Sequence, residues 1–164
     1  MKTLIVYCST HGTVKKIAEY IRDSIPETDI IDLESGSFSQ LENYDSIIIG
    51  ASVHMGLLNR HMRQFIHQNE QLLLEKKLGI ILCCMHEDLQ AQLQFENSFP
   101  ESLRLHATAT ALPGGELHFS KMNFLQRMIV KKVTGTDQDQ FNLNHQIIES
   151  FIQKMKDPVI QNNN

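Results

Sequence analysis

The sequence predicts an α/β doubly wound fold: a five-stranded parallel sheet in the order 2-1-3-4-5, covered by helices on both faces as a three-layer sandwich. Three observations carry this. Short apolar, β-branched runs alternate along the chain with apolar stripes at helical spacing. The strongest runs are apolar without interruption, as strands buried on both faces are. The chain of 164 residues, 41% hydrophobic and 21% charged, is long enough for one domain with a sizeable core.

The elements follow in order. "TLIVY" (3–7) reads as the first strand, and Val14, Ile17, Ala18, Ile21 and Ile25 as the buried stripe of a helix that Pro26 closes. "DIIDL" (29–33) is a second strand and "DSIIIGAS" (45–52) a third. Asn59 is suited to cap a helix carrying Met62, Phe65, Ile66 and Leu73. "LGIILCCM" (78–85) is the fourth strand. A helix follows with Asp88 at its start, carrying Leu89, Leu93 and Phe99 and ending by Pro100. "LHATATAL" (105–112) is the fifth strand, with Gly114 and Gly115 behind it. Ile147, Ile148, Phe151, Ile152 and Met155 mark the last helix. A single domain is expected over 1–156, with 157–164 as a frayed tail.

Composition excludes several classes. A net charge of -4 gives no general attraction to nucleic acid. No stretch approaches the roughly 20 apolar residues of a membrane span, and the first apolar run, Leu4–Val6, is too short for a secretory leader. Three cysteines, Cys8, Cys83 and Cys84, are too few for a disulfide framework, so a cytoplasmic location is expected. The adjacent Cys83 and Cys84 read as small apolar residues of a buried strand; Cys8, beside the first loop, has no base to make it a nucleophile. The eight histidines show no i, i+4 pairing, and no metal site is expected.

The stretch "YCSTHGTVKKIA" (7–18) carries the first functional signal. It sets Ser9, Thr10 and Thr13 around Gly12 where the first strand turns into the first helix. In doubly wound sheets, ligands bind beyond the carboxyl ends of the strands where strand order reverses, between strands 1 and 3. A helix N-terminus there offers free N–H groups and the positive end of the helix dipole, and the hydroxyls add donors. That set suits a phosphate held by neutral hydrogen bonds, since no lysine or arginine precedes Lys15 in the loop. The alternative is that Ser9 and Thr13 simply cap the helix. Neither G-x-x-x-x-G-K-[ST] nor G-x-G-x-x-G occurs, which disfavours ATP hydrolysis and dinucleotide binding.

This loop resembles the FMN-phosphate loop of flavodoxins, a hydroxyl cluster around T-G-N-T, with His11 and Thr13 in place of a threonine and an asparagine and Val14 in place of the last threonine. "YDSIIIGASVHMGLLNRHMRQFI" (44–66) and "GGELHFSKMNFLQRMIVKKVTGTDQDQ" (114–140) resemble the menaquinone-dependent protoporphyrinogen dehydrogenase family. The resemblance implies FMN, its phosphate on Ser9, Thr10, His11, Gly12, Thr13 and Val14. It further implies that two loops flank the isoalloxazine ring, through Ser52, Val53, His54, Met55 and Gly56 and through Cys84, Met85 and His86. The chain has no tryptophan and its tyrosines lie outside these loops, so His54, Met55 and His86 are the flat or polarizable partners for the ring. Gly56 would supply a peptide able to turn toward ring N5. The implied activity is oxidation of protoporphyrinogen IX with electrons passed to menaquinone. A flavodoxin-type electron carrier and an NAD(P)H-dependent quinone reductase are the alternatives.

Residues 118–134, "HFSKMNFLQRMIVKKVT", hold Lys121, Arg127, Lys131 and Lys132 and no acid. Met122, Leu125, Met128, Ile129 and Val133 form an apolar stripe against these charges. Such a segment either packs on the domain or lies on an anionic membrane surface, giving reversible contact with the inner face of the cell membrane.

Overall fold

The computed structural model describes the chain except residues 37–39, 87, 118, 119, 121, 136 and 158–164, together with the side chains of 117, 133, 134, 140 and 141. Strands β1 (Thr3–Tyr7), β2 (Thr28–Asp32) and β3 (Ser46–His54) pair in parallel. A two-residue strand, β4 (Leu57–Leu58), folds back antiparallel on the end of β3. β5 (Lys77–Cys83) and β6 (Ala109–Ala111) complete a sheet whose parallel strands run β2-β1-β3-β5-β6. Counting only these five parallel strands, this is the expected order 2-1-3-4-5.

Alternation along each strand builds two cores. Leu4 and Val6 of β1, Ile47 and Ile49 of β3, and Leu78, Ile80 and Leu82 of β5 face one side. There they meet Met62, Phe65 and Ile66 of α2 (Arg60–Leu74), Phe95 of α3 (Asp88–Ser98) and Leu103 of α4 (Glu101–His106). Ile5, Tyr7, Ile48, Ile81 and Cys83 face the other side. Their partners are α1 (Thr13–Ser24) and α6 (His145–Lys156), the latter through Ile148, Phe151, Ile152 and Met155. Because both faces are covered, β1 and β5 are buried at every residue, which explains their unbroken apolar runs.

Helix ends are specified locally. The Asn59 side chain accepts from the His61 N–H at 2.8 Å, capping α2 as expected. Asn144 caps α6 by accepting from Gln146 and Ile147. At the other end of α6, the buried Lys77 ammonium donates to the carbonyls of Met155 (2.8 Å) and Asp157. A cation there satisfies carbonyls left without helical partners and complements the negative end of the helix dipole.

The structure corrects two expectations. The fifth strand is Ala109–Ala111 alone, because residues 101–106 belong to α4, which starts directly after Pro100 and takes in the first part of the predicted span. Leu105 consequently lies 80% exposed, while Leu103 is the buried residue of that helix. In α3, Leu89 and Leu93 are exposed and Ala91 and Phe95 face inward instead, while Phe99, just past the helix end, is buried as expected. Gly114 and Gly115, behind the fifth strand, begin an element the sequence did not announce. They open β7 (Gly114–Leu117), which pairs antiparallel with β8 (Gln140–Leu143) as a separate ribbon. Between these strands runs α5 (Phe124–Thr134), held at its start by a reciprocal capping box of Asn123 and Gln126. His118, Phe119, Lys121 and the tail beyond residue 157 lie outside the described residues.

Candidate functional site

The loop after β1 is tied to the neighbouring strand where it begins: the Cys8 N–H donates to the Gly50 carbonyl at 3.1 Å. Gly12 ends the loop in a left-handed conformation, φ 90°, at the N-cap of α1. A side chain is strained at that φ, which accounts for the glycine. A Cβ placed there meets nothing within 4 Å, so the strain is purely conformational. Ser9 Oγ accepts from the N–H groups of Gly12 (3.1 Å) and Lys15 (3.2 Å), so it does serve as a cap, as one reading expected. Among the described residues the N–H groups of Thr13 and Val14 have no protein acceptor. First-turn N–H groups point out of the helix end, so these two remain available to an anion.

Beside this loop lies a cavity of about 320 Å³. From the expected site, Ser9, Thr10, His11, Thr13 and Val14 line it, as do Ser52, Val53, His54, Met55, Cys84 and Met85. Three expected residues do not line it. Gly12 forms the cap behind the loop. Gly56 sits with Met55 in the β3–β4 turn, both at positive φ, and its carbonyl accepts from Gln94 of α3 at 3.0 Å. The His86 carbonyl is a weak acceptor for the Cys84 thiol at 3.7 Å.

The remaining wall escaped the sequence reading. It comprises Cys83 at the end of β5, Gly115 and Glu116 of β7, and Met122, Gln126, Ile129 and Val130 on and before α5. The stripe expected over 118–134 is thereby divided. Met122 and Ile129 face the cavity, whereas Leu125 and Met128 point outward with Phe124 and remain exposed. The amphipathic pattern was the available signal, but it marked two apolar faces instead of one.

The cavity has distinct chemical zones. Near the loop, the Glu116 carboxylate accepts from the Thr13 hydroxyl (3.4 Å) and pairs with the Lys16 ammonium (3.2 Å). Across the mouth, the His11 and His54 rings meet edge to face with centroids 5.3 Å apart. Part of the His54 ring is open to solvent, but burial of the rest, and then the neighbouring His11, lower its basicity. All three thiols are shifted toward the protonated form. Burial pushes Cys8 and Cys83 up to about 12, with nearby carboxylates adding to the effect at Cys8, and burial also raises Cys84. Among the described residues no group of His, Cys, Asp and Glu converges as a metal site. No helix among them is long and apolar enough to cross a membrane.

Such a site offers an anion cradle and a largely apolar cavity and, among the described residues, no activated nucleophile. It defines a doubly wound protein built to hold a phosphorylated planar ligand that brings its own chemistry. The flavodoxin domain profile matches residues 4–156, and the chain belongs to the flavodoxin domain family, whose cofactor is FMN. The fold agrees with flavodoxin 1 of Bacillus cereus at a TM-score of 0.55, with 20% identity over 94% of this chain and 95% of that one. It agrees equally with the flavodoxin of Streptococcus pneumoniae TIGR4, TM-score 0.55, at 15% identity and the same coverage. Protoporphyrinogen IX dehydrogenase [quinone] of Escherichia coli K12 is 30% identical over 73 residues, which span 42% of this chain and 40% of that protein.

The residues present fit FMN. The free N–H groups of Thr13 and Val14 and the hydroxyls of Thr10 and Thr13 suit its phosphate, and the largely apolar cavity that Val53–Met55 and Cys84–Met85 help to line suits its ring. Bound FMN supplies reversible hydride and single-electron chemistry; the protein supplies binding, orientation and electrostatics.

Proposed function

We propose that this flavodoxin-domain protein is an FMN-dependent oxidoreductase that oxidises protoporphyrinogen IX and passes the electrons to a quinone. The observation that carries this reading is the segment from β7 to β8. Its helix α5 walls the cavity on one face, and the other face keeps Phe124 and Leu125 79% and 65% exposed. An electron carrier that only meets other proteins has no need of such a wall, and the partial identity to a quinone-linked dehydrogenase supports the same direction.

The residue roles follow from position. Thr10, Thr13 and the N–H groups of Thr13 and Val14 hold the phosphate, and Ser9 keeps the loop closed over the helix end. Val53, His54 and Met55 support one side of the ring; Cys84 and Met85 support the other, with His86 and Gly56 shaping the two loops. Met122, Ile129 and Val130 exclude water, leaving an apolar approach suited to a quinone ring. Oxidation of the porphyrinogen removes hydrogens that reappear on quinol, so the reaction is closed in electrons and protons with no further reductant.

Purified protein mixed with FMN and freed of excess is expected to retain about one flavin per chain, with shifted visible bands and quenched fluorescence. The loaded protein is then expected to generate fluorescent porphyrin from protoporphyrinogen IX only when a menaquinone analogue is supplied. Loss of all FMN at tens of micromolar would reject the reading. Retained FMN without porphyrin formation, but with electron delivery to a protein acceptor, would assign a carrier role.

The outer face of α5 supports peripheral membrane contact. Phe124, Leu125 and Met128 offer apolar anchors, and Arg127 and Lys132 favour anionic headgroups. In flotation with vesicles of phosphatidylglycerol and phosphatidylcholine, the chain is expected to rise with the lipid and to remain behind when phosphatidylcholine is used alone. Phe124→Ser with Leu125→Ser is expected to abolish flotation without changing FMN retention.

A further inference from the structure

We propose that Glu116 is a built-in competitor for the cofactor's phosphate, and that it sets how strongly this site prefers FMN over unphosphorylated riboflavin. The inference rests on the reading that the phosphate occupies the loop at residues 9–14.

Glu116 comes from β7, where it stands opposite Phe141 on the ribbon, 103 residues from its partner Thr13. Its side chain is only 13% exposed and lines the cavity. Its carboxylate engages the hydroxyl of Thr13 and the ammonium of Lys16, a donor and a cation at the start of α1 that an incoming phosphate would claim. A carboxylate sheltered from water acts on a phosphate dianion with little screening. Riboflavin has the same ring and no phosphate, so it meets neither the repulsion nor the competition for donors.

Two arrangements follow. With the carboxylate on Thr13 and Lys16, the cradle is internally neutralised and the ribbon is drawn against α1. When phosphate takes those donors, Glu116 must release them. FMN affinity therefore carries a penalty that riboflavin affinity does not, and Lys16 exchanges one anion for the other. Glutamine at position 116 keeps the shape and can still accept from Thr13, but it removes the charge.

The test measures dissociation constants for FMN and riboflavin by flavin fluorescence, using the full chain, Glu116→Gln and Lys16→Met. Glu116→Gln is expected to bind FMN about tenfold tighter with riboflavin unchanged. Lys16→Met, at a side chain 59% exposed and so harmless to folding, is expected to weaken FMN severalfold with riboflavin again unchanged. If Glu116 serves only to tie the ribbon to α1, Glu116→Gln will lower the melting temperature and leave the ratio of the two constants at the wild-type value, which overturns the proposal. An unchanged ratio in Lys16→Met overturns it as well. Failure of every variant to bind either flavin rejects the FMN reading itself, whereas binding of both flavins without a change in their ratio rejects the role of Glu116 alone.

Discussion

Replacing Gly114 by alanine is expected to cost at least about a hundredfold in FMN affinity, equivalent to roughly 2.8 kcal/mol. Gly114 sits at φ 87°, and a Cβ there would come within 1.9 Å of the Asn142 carbonyl oxygen. That neighbour is backbone in the paired strand, so no side-chain rotation relieves the clash. The pairing of Gly114 with Leu143 must open, and the start of β7 must move away from β8. Gly115 is confined as well, though less: a Cβ at that position would lie 3.2 Å from the Cys84 carbonyl oxygen. The ribbon carries α5, and α5 carries Gln126, Ile129 and Val130 of the cavity wall. The main sheet does not include β7 or β8, so global melting should fall far less than FMN retention. Titration with FMN beside a thermal melt checks both; affinity within threefold of wild type would show that the wall is dispensable.

Phe151→Ala is expected to destabilise the fold by about 3–5 kcal/mol, the usual cost of emptying an aromatic site in a close-packed core. Phe151 is 1% exposed and is among the largest fully buried side chains. Its ring fills the space left by Gly79: a Cβ at position 79 would lie 2.6 Å from the Phe151 ring and 2.9 Å from the Met155 sulfur. Helix α6 therefore approaches β5 through a glycine gap, with Met155 the one flexible side chain beside the ring, too thin to refill the whole aromatic site. For a chain of this length the loss corresponds to a fall in melting temperature of about 6–20 °C. Chemical unfolding with and without FMN would resolve it. A loss under about 1 kcal/mol would mean that α6 settles onto β5 without its aromatic contact.

Features written into contiguous residues were legible in the sequence, and features made by distant residues meeting were not. The central parallel strands were legible because strands buried on both faces leave unbroken apolar runs, as in residues 47–49 and 78–82. The loop at 9–13 was legible because its donors are contiguous. β7 and β8 were not: "GGEL" and "QFNL" are short, and their pairing depends on the positive φ of Gly114. Leu105 was misplaced because the alternation in 105–112 imitates a strand, while Pro100 and Glu101 start a helix just before it. Glu116 had no local signature, since what matters is its meeting with Thr13 and Lys16 across the fold. Helix α5 was visible as amphipathic, yet a stripe alone does not say which part of it faces inward.

Helix α5 is one rod with two tenants. Gln126, Ile129 and Val130 belong to the cavity, while Phe124, Leu125 and Met128 belong to whatever touches the outside. Thermodynamic reciprocity then binds the two faces together. Any surface that grips the outer face and steadies the rod raises the affinity of the cavity for its occupant by some factor, and the occupant raises the grip of that surface by the same factor.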